Sequence, residues 1–126
     1  MDELANLDRI KFLIENDRDV INEFLLGLST KEQEKIYRNI RLLNDLGFQR
    51  MINTKMIGSV KGQDNLWYLR ASYRSNIFRI FFFIYEIDER EVYILLHGFQ
   101  KKTQKIPEAE IELAKYRKVS LLKKLK

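Results

Sequence analysis

The chain has 126 residues, 45% of them apolar and 12% aromatic, which suits a single domain over residues 1–126 with a core of ordinary size. It has no cysteine and one histidine, which excludes disulfides and thiolate chemistry and leaves any metal site to carboxylates, of which no clustered set is seen. No apolar run approaches the roughly 18 residues of a membrane span, and the start MDELANLDRIKF is too polar and acidic for a secretory signal, so a cytoplasmic protein without membrane contact is expected.

The net charge is +5, and it is unevenly placed. Residues 1–96 hold 14 Lys and Arg against 15 Asp and Glu, whereas residues 97–126 hold 9 against 3. A basic surface confined to the last quarter suits a polyanion, either a nucleic acid or an acidic partner. A solvated basic helix would give the same count.

In chain order, IKFLIE (10–15) reads as a first strand. NDRDVINEFLLGLS follows as a short helix capped by Asn16 or Asp17, with Val20, Ile21, Phe24, Leu25 and Leu28 at helical spacing. STKEQEKIYRNIRLLNDLG is a second helix. Ser29 and Glu32 have capping-box spacing, Gly47 is a stop, and Ile36, Ile40, Leu43 and Leu46 form the stripe. The short link predicts an antiparallel helical hairpin. Three aromatic and β-branched runs come next, LWYLRASY (66–73), NIFRIFFFIYEI (76–87) and EVYILLHGF (91–99). The tight links RSN (74–76) and DER (88–90) make them an antiparallel meander. Pro107 stands near the first turn of a last helix, with Glu108, Glu110 and Glu112 early and Lys115, Arg117, Lys118, Lys123 and Lys124 late, in agreement with the helix dipole. The order is β-α-α-β-β-β-α, an α+β domain with a helical hairpin on one face of a small antiparallel sheet and the other face partly open.

Alternation puts Leu66, Tyr68, Arg70 and Ser72 on one face of the first run of the meander, and Ile77, Arg79, Phe81 and Phe83 on one face of the next. A hairpin centred on residues 74–75 sets Arg70 opposite Arg79. Like charges so placed are destabilising unless an anion lies between them, and two guanidinium forks suit a phosphate. Pairing of each arginine with a carboxylate such as Glu86 or Glu15 is the plain alternative. The third strand runs into HGFQKKTQKIP (97–107), which holds the lone His97 beside Lys101, Lys102 and Lys105. His97 has a suitable pKa for a base, but it alternates with Tyr93, Leu95 and Phe99 and so points toward the core.

LWYLRASYRSNIFRIFFF, then ILLHGFQKKTQKIP and EAEIELAKYR, resemble the RelE/ParE toxin superfamily, and within it the phage-derived, HigB-like branch. The resemblance implies a RelE-like fold and a toxin of a type II toxin–antitoxin pair. It implies a metal-independent endoribonuclease that needs no cofactor, cleaves mRNA on the ribosome and so stops translation. It further implies a HigA-like helix-turn-helix antitoxin as partner, with operator DNA bound only through the complex. On that reading Arg70, Arg79, Lys101, Lys102 and His97 are the catalytic candidates, with the arginines as phosphorane donors. Tyr73, Arg74, Lys105, Lys115 and Lys118 are the RNA-binding candidates, Tyr73 by stacking on a base. ParE-like inhibition of DNA gyrase and a non-catalytic module binding RNA or antitoxin are the rival readings.

Overall fold

The structure, a computed structural model, describes residues 7–102 and 105–125. Thr103 and Gln104 of the HGFQKKTQKIP stretch lie outside the described residues. The strands are β1 (Ile10–Phe12), β2 (Ile14–Glu15), β3 (Arg18–Asp19), β4 (Ile57–Ser59), β5 (Trp67–Tyr73), β6 (Asn76–Ile87) and β7 (Arg90–Lys101). The helices are α1 (Val20–Leu26), α2 (Thr30–Leu46), α3 (Phe48–Met51) and α4 (Glu108–Leu125).

β6 and β7 are the longest strands, and their Val, Ile and aromatic content explains why. They form the centre of a five-stranded sheet ordered β1-β7-β6-β5-β4. The β4–β5–β6–β7 part is antiparallel, but β1 pairs with β7 in parallel, so the sheet is mixed rather than purely antiparallel. The expected first strand is broken in two. Asn16 and Asp17 do not cap a helix; they hold φ of 53° and 64° in the tight turn between β2 and β3. Asp19 caps α1 instead, its carboxylate accepting from the Asn22 N–H. α2 carries the expected capping box of Ser29 and Glu32. β4 lies in a stretch whose three residues, IGS, are too few for a legible alternation.

Both faces of the sheet are buried. On one, α1 lies over β7 and α2 over β5, enclosing Leu69, Ala71, Phe78, Ile80, Phe82, Tyr93 and Leu95. On the other, Ile111, Ala114, Leu121 and Leu122 of α4 pack on Phe81, Phe83, Ile94 and Leu96. The face expected to be partly open is therefore largely roofed by the C-terminal helix. Polar pins fix that roof. Arg117 donates twice to the Glu15 carboxylate, at 2.9 and 3.1 Å, and Lys118 donates to the Asp64 and Asn65 carbonyls at 2.6 and 3.0 Å.

The β6–β7 ladder has one irregularity. Phe81 faces His97 while Phe82 faces Leu95, so Leu96 is an extra residue. The bulge overturns the alternation that grouped His97 with Tyr93 and Leu95. Those two face α1 and α2, while His97 faces Phe81 and α4.

Gly98 lies opposite Ile80 beneath α1, and a Cβ there would come within 2.6 Å of the Phe24 ring. Gly98→Val is therefore expected to lift α1 from the sheet and lower stability by roughly 1–3 kcal/mol, read as a fall in the urea midpoint.

Candidate functional site

The site grows from the β5–β6 register. Arg70 is the cross-strand partner of Arg79, and Phe99 of β7 flanks Arg79 on the far side. One step nearer the strand end, Lys101 pairs with Ile77 on the same face. The row lies beyond His97, where α4 makes its first polar contact with the sheet.

The backbone of Arg70 is held from both sides. Its N–H donates to the Met56 carbonyl at 2.7 Å, and its carbonyl accepts from the Asn39 amide of α2 at 2.8 Å. Arg79 is 8% exposed and its Nε has no hydrogen-bond partner. Its guanidinium lies 4.4 Å from the centre of the Tyr68 ring, a cation–π contact. Tyr68 reaches that place by lying across Gly58, where a Cβ would fall 2.2 Å from the ring. Sequence reading missed Tyr68 as part of the site, although its shared face with Arg70 and the hairpin register put it diagonal to Arg79.

The carboxylates considered as partners for the arginines are elsewhere. Glu15 is bound to Arg117, and Glu86 is exposed opposite Glu91 at the other end of β6. Among the described residues, neither Arg70 nor Arg79 makes an ion pair. Lys101 feels both of them. Its ammonium is held below the ordinary lysine value, first by lost hydration and then by repulsion from Arg79 and Arg70. The structure thus brings Arg70, Arg79 and Lys101 into one cationic row, with Lys102 exposed where β7 ends.

The other candidates are dispersed. Lys105 is exposed between β7 and α4. Tyr73 turns to the opposite face of the sheet, in a cleft of about 430 Å³ lined by Lys31, Glu34, Lys35 and Arg38 of α2. Arg74 sits at the β5–β6 turn with φ of 55°, its guanidinium 5.3 Å from the Tyr73 ring centre. The turn is tied to α2, since the Asn76 amide donates to Glu32 at 2.8 Å. Lys115 pairs with Glu112 at 3.2 Å, and Lys118 is spent on the loop carbonyls and lies 5.7 Å from the Phe83 ring centre.

His97 is 4% exposed, with its Nε2 3.1 Å from the Glu110 carboxylate and its Nδ1 buried without a partner. Burial lowers its pKa, Arg117 lowers it further, and Glu110 and Glu15 oppose the fall. A neutral ring donating from Nε2 to Glu110 fits these surroundings. Its contacts are those of a residue that fixes α4. Among the described residues, no group of three or more His, Asp or Glu could hold a metal ion, and no helix is long and apolar enough to cross a membrane.

The acid response of the fold follows. The folded His97 ring takes up a proton less readily than the free side chain, whose ordinary value is 6.5. Stability is therefore full above that pH and is lost as pH falls below it through the depressed folded value. Glu15, whose carboxyl is held below its ordinary 4.5 by hydrogen bonds from Arg117, adds a second loss as pH falls below 4.5. Urea midpoints taken from about pH 8 down to about pH 2.5 are expected to show both losses, and His97→Gln to abolish the first alone.

No curated protein matches the chain. A family model described as phage-derived protein Gp49-like (DUF891) matches residues 23–119, from within α1 to within α4, and so spans the whole row and its supports. The chain belongs to this Gp49-like family, a phage-derived, toxin-like family of the RelE/HigB type.

Proposed function

We infer that the protein is the toxin of a toxin–antitoxin pair and acts as an endoribonuclease on mRNA, in the ribosome. The observation that carries this reading is the Arg70–Arg79 pair. Two arginines are direct cross-strand partners in a hairpin, one of them buried, with a third cation beside them and no ion pair to either arginine among the described residues. A buried charge without a counter-charge is costly, and a bound phosphate would relieve it.

Cleavage of RNA by its own 2′-hydroxyl forms a bond from the 2′-oxygen to phosphorus and breaks the bond to the 5′-oxygen. The products are a 2′,3′-cyclic phosphate and a 5′-hydroxyl. A base takes the 2′ proton, cations meet the charge on the phosphorane, and an acid protonates the departing oxygen. Arg70 and Arg79 suit the phosphorane oxygens, and Tyr68 holds Arg79 in orientation. Lys101, with its lowered pKa, suits proton transfer better than an ordinary lysine. Lys102 and Lys105 suit the flanking phosphates. On this reading His97 is a positioning residue for α4, and a HigA-like antitoxin would set its own acidic groups against the row.

The test is cell-free translation of a defined message with mapping of new RNA 5′ ends. Arg79→Ala is expected to cut the cleavage rate by about 10²–10³. Arg79→Met should slow cleavage to the same extent while leaving stability unchanged or raised, because it removes an uncompensated buried charge. Should Lys101 be the base, the rate of the parent protein rises with pH to a bend below lysine's ordinary 10.5, and Lys101→Arg loses that rise. Intact message with intact translation overturns the ribonuclease reading and leaves gyrase inhibition or a pure binding role.

A further inference from the structure

α4 has an unusual outer surface. Its inner side packs on the sheet through Ile111, Ala114, Leu121 and Leu122, yet Tyr116 and Val119 on the outer side are 66% and 50% exposed, with Leu113 beside them at 38%. A helix apolar on both sides ordinarily has a cover on both.

The pattern of the outer stripe says what the cover is. Glu108, Glu112, Tyr116, Val119 and Lys123 follow at spacings of four, four, three and four, which is one straight line along a helix. All five are exposed. The line has acid at its N-terminal end, apolar groups in the middle and a cation at its C-terminal end. An acidic partner would be repelled by its first two members and a basic partner by its last. A second copy of the same helix laid antiparallel satisfies the four members from Glu112 to Lys123. With the two-fold axis between positions 116 and 119, Tyr116 meets Val119 of the second copy and Glu112 meets Lys123 of the second copy, each contact made twice.

We propose that the protein self-associates through the outer face of α4, as an antiparallel two-fold dimer centred on Tyr116 and Val119. The interface is isologous, as two-fold dimers require. Glu112 already touches Lys115 at 3.2 Å, but an exposed pair of that kind is weak and exchanges readily. One helix face is smaller than the roughly 800 Å² per partner of a standard interface, so the dimer is weak and concentration-dependent. The inference is independent of the ribonuclease reading, because the stripe and the arginine row share no residue.

The test is sedimentation equilibrium of the purified full chain over a wide concentration range, with charge reversals at exposed positions that leave the folded monomer intact. Glu112→Lys and Lys123→Glu each set like charges together twice, and each is expected to weaken the dimer by about tenfold or more. Mixing these two variants in equal amounts restores opposite charges in both pairs of the mixed dimer, and association should return to near the parent level. The double variant should also return to it. Tyr116→Asp should leave a monomer. A parent chain that stays monomeric to about millimolar concentration overturns the proposal, as does a dimer indifferent to these reversals.

Discussion

The twelve-residue ladder between β6 and β7 is the constraint on which the rest of the protein depends. Each strand is buried on both sides along its middle, so every residue there commits to one of two cores. The single bulge at Leu96 sets that commitment for the end of β7. Without it, the face that carries Phe99 and Lys101 beside Arg79 would turn toward α1, and the face that fits α1 through Gly98 would turn away. One extra residue thus brings the basic end of β7 to the same side as the two arginines, and lets His97 meet α4.

Much of this was legible in the sequence. The Arg70–Arg79 pairing followed from a short link and period-two counting, both of which are local and geometric. The capping box of α2 and the span of β6 were readable for the same reason. The bulge was not, because a ladder irregularity depends on what packs against the strand. The parallel docking of β1 and the three-residue β4 are also long-range events that leave no local pattern. The placement of α4 was left open between docking on the sheet and a free cationic end, because its weak amphipathicity hid which side faces the sheet; apolar residues occupy both.

The candidate site divides along the same line. Residues on strands, Arg70, Arg79 and Lys101, were brought together as alternation requires. Residues chosen for charge alone were dispersed, since charge count carries no direction: Lys118 turned inward to loop carbonyls, and Lys115 to its own helix. Tyr68 was overlooked because its role rests on a missing side chain, that of Gly58, across which its ring lies.

The pairing of two cations across a hairpin also ties the stability of the fold to the anions around it. On the proposed reading, an anion held by the row, a phosphate or a carboxylate, would bind the folded chain and not the unfolded one, and so would add to its stability by mass action. At a hundredfold excess over its dissociation constant the gain is about 2.7 kcal/mol, a sizeable part of what holds a domain of this size together. A substrate backbone and an acidic inhibitor would compete for this same gain. The arginine row would then serve as a place where protection of the fold and occupation of the site are one event, and the unliganded chain would be the form most exposed to unfolding and proteolysis.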